Sequence, residues 1–279
     1  MLIHATGFHA RCWDQVVKYL GKRHILAIDL RGHGQSDNTP IVDWRAFGQD
    51  VDEVLTRLDI ENAVGIGHSM GGFTACYSAY LNQDLFSQII LIDPAIMSPD
   101  SYRRDNNPIA VAAGEQHPVG KRRNTFSSVE EMFTLYKKRP PFNTFDQGVL
   151  SDYCKYGLTK SEGEHKFQLA SPPAFEASVY QKAAFFKDIY KIVESISLPI
   201  TIIRAMEPES LEDQRSFMHS PTWPDLAAKL PSGKDIHLPD ASHLVPMQNP
   251  KRIADLILSE IKYLGDLDNT ENVAPEAIN

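Results

Sequence analysis

Gly67-His68-Ser69-Met70-Gly71 decides how this chain folds. The pentapeptide follows an apolar run, Ala63-Val64-Gly65-Ile66, and precedes a helical stretch from Gly72 to Leu81. A serine between glycines where a strand becomes a helix fits a sharp turn, a nucleophile elbow. The turn forces unusual backbone angles on the serine, and flanking glycines remove Cβ atoms that would collide with strand and helix. Ser69 Oγ then stands above the sheet at the positive end of a helix dipole. The helix is expected to be amphipathic.

Outward from this turn, apolar and helical runs alternate. His24–Asp29 reads as a buried strand, followed by a polar loop holding Gly32, Gly34 and Ser36. Val51, Val54, Leu55 and Leu58 recur at helical spacing. Gln88–Asp93, Pro199–Arg204 and Asp235–Leu238 read as further strands, and Pro250–Leu264 as a closing helix carrying Ile253, Leu256, Ile257 and Ile261. Continuous β-branched runs separated by helices predict parallel strands buried on both faces. The fold class is α/β, a mostly parallel sheet with helices on both faces. Its active site belongs at the C-terminal ends of the strands.

The stretch 97–195 shows no strand character. It carries helical patterns at Ile109–Ala113, Val129–Tyr136, Val149–Tyr156 and Ala174–Ile189, and many basic residues, including Arg103, Arg104, Lys121, Arg122, Arg123, Lys137, Lys138 and Arg139. This predicts a helical cap inserted into a core made of 1–96 and 196–264. Most of its charges read as a solvated surface. The polar, aperiodic stretch 265–279 is expected to be a disordered tail.

Bulk properties narrow the function. The net charge of −8 argues against nucleic acid as a partner, because phosphate binding needs a basic face. No apolar run is long enough for a membrane span, and Met1-Leu2-Ile3-His4 has no signal-peptide character, so the expected location is cytoplasmic. Cys12, Cys76 and Cys154 are too few and too scattered for a disulfide framework or a zinc site. They read as buried or free thiols.

Four segments, in order, resemble the α/β-hydrolase superfamily. They are His4-Ala5-Thr6-Gly7-Phe8 with Trp13, similar to the oxyanion loop; Asp29-Leu30-Arg31-Gly32-His33-Gly34-Gln35-Ser36, similar to a D-x-R-G-x-G-x-S loop; the Ser69 turn; and Ser242-His243 followed by Pro246 and Pro250, similar to the loop of the catalytic histidine. The resemblance implies the α/β-hydrolase fold with an inserted cap. It also implies two strands ahead of the oxyanion loop that this sequence does not contain. Either the chain as given starts late or one sheet edge is bare.

A serine hydroxyl needs a base to become a nucleophile. Of ten histidines, His243 is the candidate, since it follows the last strand on the catalytic side. His33 and His68, beside glycine-rich turns, read as structural or supporting residues, and His117, His165 and His219 as surface residues. The oxyanion needs two backbone N–H donors. Met70, after the nucleophile, supplies one. The other falls on Thr6, or on Phe8 if the loop is aligned on its glycine; Thr6 is preferred. The acid is ambiguous. Its usual place, Arg204-Ala205-Met206-Glu207-Pro208-Glu209, holds proline where aspartate is expected. A second place used in some branches of the family is the end of the preceding strand, and there stands Asp93. Asp93 is preferred as the acid, with Glu207 the alternative.

The resemblance thus implies a serine hydrolase that needs no cofactor or metal. Its substrate would be a small carboxylic ester, thioester or lactone, attacked by Ser69 to form an acyl-enzyme. A serine nucleophile disfavours epoxide hydrolase and dehalogenase chemistry, which uses aspartate. Carbon–carbon bond hydrolysis and perhydrolase activity use the same triad. A ligand-binding sensor of the same fold is the alternative from another class.

Overall fold

The computed structural model describes residues 1–102, 117–161, 166–183, 188–210 and 212–271. The helical pattern at Ile109–Ala113, with Arg103, Arg104, His165 and 272–279, lies outside them. A six-stranded sheet forms the centre. Its strands are β1 (Leu2–Ile3), β2 (Ala27–Ile28), β3 (Ala63–His68), β4 (Phe86–Ile92), β8 (Ile200–Arg204) and β9 (Gly233–His237). They lie in the order β2-β1-β3-β4-β8-β9 and every neighbouring pair is parallel. Ile89 to Ile92 are wholly buried, as central parallel strands require.

The sheet edges depart from the sequence expectation. Only Ala27 and Ile28 of the run His24–Asp29 are strand, and both are half-buried. Their neighbour β1 has two residues, and beyond the paired stretch the run meets it through the Leu26 carbonyl, which accepts from Leu2 N–H at 2.7 Å. At the other edge β9 is mostly exposed. Its Lys234 and Asp235 put charge on an edge that would otherwise invite another strand.

Helices cover both faces. On one lie α2 (Arg45–Arg57), α3 (Met70–Leu81) and α7 (Ile189–Glu194), which join a large apolar cluster with β4. α2 buries Phe47, Val51 and Leu55, one residue per turn on a single stripe. α3 is not the amphipathic helix expected. All of Met70–Ala79 is buried, because α3 is wedged between the sheet, α2 and α7. On the other face, α1 (Asp14–Val17) and α9 (Pro250–Glu271) enclose Trp13, Val16, Ile253, Ala254 and Ile257. α9 runs past Leu264 into the stretch expected as a disordered tail. Extending an established helix costs far less than starting one.

The segment between β4 and β8 is not purely helical, which corrects the expectation. Besides α4 (Val129–Tyr136), α5 (Gln147–Tyr156) and α6 (Pro173–Ala183), it contains β5 (Thr125–Phe126), β6 (Leu158–Lys160) and β7 (Phe167–Leu169). These form an antiparallel sheet in the order β5-β7-β6. Strands of two or three residues are too short to show an alternating pattern. Phe126, Leu158 and Leu169 nonetheless turn into one apolar cluster with α4 and α5. Leu244 and Met247, around α8 (Val245–Gln248), belong to that cluster, which ties the insertion to the loop that carries His243. Cys12, Cys76 and Cys154 are buried free thiols. Among the described residues no helix is long and apolar enough to cross a membrane.

Candidate active site

Ser69 joins β3 to α3 with φ 55° and ψ −116°. A left-handed non-glycine residue costs about 1–3 kcal/mol and persists only where its surroundings hold it. Main-chain hydrogen bonds do so. Ser69 N–H donates to the Ile92 carbonyl at 3.1 Å, and the N–H groups of Gly72 and Ala95 each donate to the Ser69 carbonyl at 3.0 Å. The glycines allow the close approach. A Cβ on Gly67 would lie 2.1 Å from the Gly71 oxygen, and one on Gly71 would lie 2.3 Å from the Ile3 oxygen.

His243 comes from the loop after β9 and reaches Ser69 from the far end of the chain. Its Nε2 lies 3.1 Å from Ser69 Oγ, and its Nδ1 lies 2.7 Å from Asp93 Oδ2. A carboxylate only accepts, so Nδ1 carries the proton and Nε2 is left to accept from the serine hydroxyl. Asp93 ends β4 at φ 45° and is wholly buried. Its other oxygen, Oδ1, accepts from Ala205 N–H at 3.0 Å, from Thr222 Oγ at 3.1 Å and from Ser220 Oγ. Burial alone would push this carboxyl up. The bond and charge of His243, with the bonds from Ser220 and Ala205, outweigh it and hold Asp93 below the usual carboxylate range. Glu207 is elsewhere. Its carboxylate pairs with Arg204 at 2.6 Å and lies 3.8 Å from His237.

Of the two residues expected to supply oxyanion donors, Met70 follows Ser69 in the chain, and Thr6 lines the same cavity as Ser69. Met70 is the first residue of α3, so its N–H has no acceptor within the helix. Thr6 lies in the loop after β1, and its Oγ donates to Met70 Sδ at 3.2 Å, fixing that loop against the helix start. Thr6 N–H has no acceptor among the described residues. Phe8 differs, since its N–H donates to the Ala5 carbonyl at 3.2 Å.

Three further histidines support this geometry, each wholly buried and each held down to a pKa of about 3, first by burial. His68 donates from Nε2 to the His243 carbonyl at 2.8 Å. His4 donates from Nδ1 to the Ala5 carbonyl at 2.8 Å and accepts from Leu30 N–H at 3.0 Å. His33 donates from Nδ1 to the Arg31 carbonyl at 3.0 Å, its ring 5.0 Å from that of His4. The loop after β2 is knitted by Asp29, whose carboxylate accepts from Ala10 N–H at 2.7 Å and Gln35 N–H at 2.8 Å.

A cavity of about 720 Å3 opens over Ser69 and His243. Core residues Thr6, Gly7 and Phe8 form one side, and Phe142, Tyr153 and Glu176 of the insertion form another. Arg122 and Glu176 pair within it at 2.8 Å, although Arg122 reads as a solvated charge in sequence and Glu176 carries no motif. His117 and His219, read as surface residues, also line the cavity. Ser220 and Thr222 escape the sequence reading because they lie in an irregular segment without periodicity. Among the described residues no three His, Cys, Asp or Glu side chains gather as metal ligands would.

With a buried carboxylate orienting it, the His243 imidazole can take the proton of the strained Ser69 hydroxyl as that oxygen attacks a carbonyl. Comparison with known proteins agrees with this architecture. The model of the alpha/beta hydrolase family matches residues 1–256. An uncharacterized protein of Mycobacterium tuberculosis is 36% identical over 103 residues, which cover 36% of this chain and 30% of the relative. The match thus spans under a third of the length of that relative and of its Mycobacterium bovis counterpart. The sn-1-specific diacylglycerol lipase ABHD11 of Danio rerio is 35% identical over 264 residues, covering 93% of this chain and 74% of the lipase. Among solved structures, the peroxisomal alpha-beta-hydrolase Lpx1 of Saccharomyces cerevisiae superposes with a TM-score of 0.72 at 19% identity, covering 99% of this chain and 80% of that one.

Proposed function

The chain belongs to the α/β-hydrolase family, and from that premise we propose that it is a serine hydrolase of carboxylic esters, thioesters or lactones, working through an acyl-enzyme on Ser69. The observation that carries this is the continuous line of hydrogen bonds from Asp93 through His243 to Ser69, at 2.7 and 3.1 Å. The name of the Danio rerio relative, a lipase, supports the ester class.

In the proposed reaction Ser69 Oγ forms a bond to the substrate carbonyl carbon while His243 Nε2 takes the hydroxyl proton. Charge passes to the carbonyl oxygen, which the N–H groups of Met70 and Thr6 receive. The imidazolium that forms is held by ionised Asp93. Collapse of the tetrahedral intermediate breaks the bond to the leaving group, which takes the proton from His243. Water then attacks the acyl-Ser69 ester, again giving its proton to His243, and the acid departs as Ser69 Oγ recovers that proton. Neutral His68, whose ring centroid is 5.0 Å from that of His243, adds no charge to oppose the imidazolium.

A rapid-mixing assay with p-nitrophenyl esters graded by acyl length tests this. The proposal expects a nitrophenol burst near one equivalent per chain wherever deacylation is slower than acylation. Turnover of none of these esters, or turnover that survives Ser69→Ala, would contradict it.

A further inference from the structure

The cavity over Ser69 is opposite in sign to the chain. The chain carries a net charge of −8, yet Arg122, Arg123, Arg139 and Arg215 line this cavity, and Glu176 is the single carboxylate among its described lining residues. Arg123 is neutralised by Glu131 at 2.5 Å. The guanidinium groups of Arg139 and Arg215, both exposed, have no hydrogen-bond or ion-pair partner among the described residues.

Arg122 is built into place. Its Nη1 donates to Glu176 at 2.8 Å and its Nη2 to Tyr153 Oη at 3.0 Å. Glu176 in turn presses on the loop after β1, since a Cβ on Gly7 would fall 2.3 Å from its Oε1. Gly7 is next to Thr6, so Glu176 links the guanidinium to the loop beside the nucleophile. A guanidinium has five N–H donors, and these two bonds leave others for a ligand. The rest of the lining is largely apolar and includes Phe8, Trp44, Phe142 and Phe145. Gathering cations around an apolar cavity costs self-repulsion unless an anion occupies it.

On the reading that Ser69 is the nucleophile of an ester hydrolase, we infer that the substrate is an amphipathic anion. Its apolar body fills the cavity, and a carboxylate, sulfonate or phosphate, on the acyl or the alcohol side of the ester, is held by Arg122, Arg139 and Arg215. A neutral ester of the same length forgoes these contacts.

Two pairs of chromogenic esters distinguish the sides. Mono-p-nitrophenyl octanedioate is compared with its ω-methyl ester for the acyl side. The octanoyl ester of para-hydroxybenzoate is compared with that of its methyl ester for the alcohol side. Each is measured as a substrate and as a protectant of Ser69 against an uncharged fluorophosphonate, so a preference is read even without turnover. The expected result is an anionic-to-neutral ratio of about tenfold or more in at least one pair, shrinking as salt rises. Arg139→Gln combined with Arg215→Gln, at exposed positions, should draw that ratio toward one. Ratios at or below one in both pairs, or a ratio that neither salt nor the double variant moves, would overturn the inference. Failure of Ser69 to label would overturn the ester-hydrolase reading and this inference with it. Labelling without a preference overturns this inference alone.

Discussion

His68 donates a hydrogen bond from Nε2 to the main-chain carbonyl of His243 at 2.8 Å. The residue just before the proposed nucleophile therefore holds the loop that carries the proposed base. Both ends of the Ser69–His243 contact are fixed to one strand, β3, and its turn. His68→Leu leaves the His243 carbonyl buried without a donor. We expect a loss of about 1–3 kcal/mol in stability and a fall in kcat of about ten- to a hundredfold as the imidazole drifts from Ser69. His68→Gln, which keeps a donor, should recover part of both. Thermal unfolding and ester kinetics on the two variants check this; equal losses in both would show that the bond is not what matters.

Asp93 and Glu207 should separate cleanly on substitution. Asp93→Asn presents an amide to His243 Nδ1 and favours the wrong tautomer, so kcat should fall by about 10³–10⁴-fold. Glu207→Gln breaks a pair with Arg204, whose guanidinium keeps both bonds to Asp235, and should leave kcat within about threefold. The reverse order in ester kinetics would move the acid to Glu207.

The fold should be acid-labile well above the carboxylate range. His4, His33 and His68 have an ordinary pKa near 6.5 when unfolded and about 3 when folded. Between those values the unfolded chain binds more protons than the folded one, so stability rises with pH and is lost as pH falls from about 6.5 toward 3. Each histidine adds about 1.4 kcal/mol per pH unit to that slope in mid-range. Unfolding free energies measured from pH 7 to 4 should show uptake of at least about three protons beyond the carboxylates, since burial also holds His9 below its ordinary value. His68→Gln should remove about one. A flat profile above pH 5 would contradict the burial of these rings as neutral groups.

Gly71 should not tolerate a side chain. Its Cβ would lie 2.3 Å from the Ile3 carbonyl oxygen and 2.7 Å from that of His4, both backbone atoms that cannot swing aside. Gly71→Ala should destabilise by about 1–3 kcal/mol or more through overpacking and push the loop holding Thr6 away from Met70. Chemical denaturation measures the first effect. A fall in kcat without a change of nucleophile labelling site would reveal the second.

The sequence is informative wherever chemistry is local. Gly67, Ser69 and Gly71 are adjacent in the chain, so the strained turn is legible from them, and Ile89–Ile92 declare a central strand without help. Asp93 is harder. Its neighbours along the chain show a strand end, and only the structure brings Ala205, Ser220 and Thr222 to its second oxygen. Arg122 and Glu176 stand 54 residues apart, so nothing in either local sequence announces the pair. The short strands β5 to β7 fail for the same reason: pairing partners, not local pattern, make them strands. The uniform burial of α3 is a property of what surrounds it.

Peptide mapping by mass spectrometry after treatment with an uncharged fluorophosphonate tests the central claim most directly. The account predicts one phosphonyl adduct, on Ser69, absent in Ser69→Ala and formed at least about a hundredfold more slowly in His243→Ala. No adduct on folded protein, or an adduct at a different residue, would contradict it.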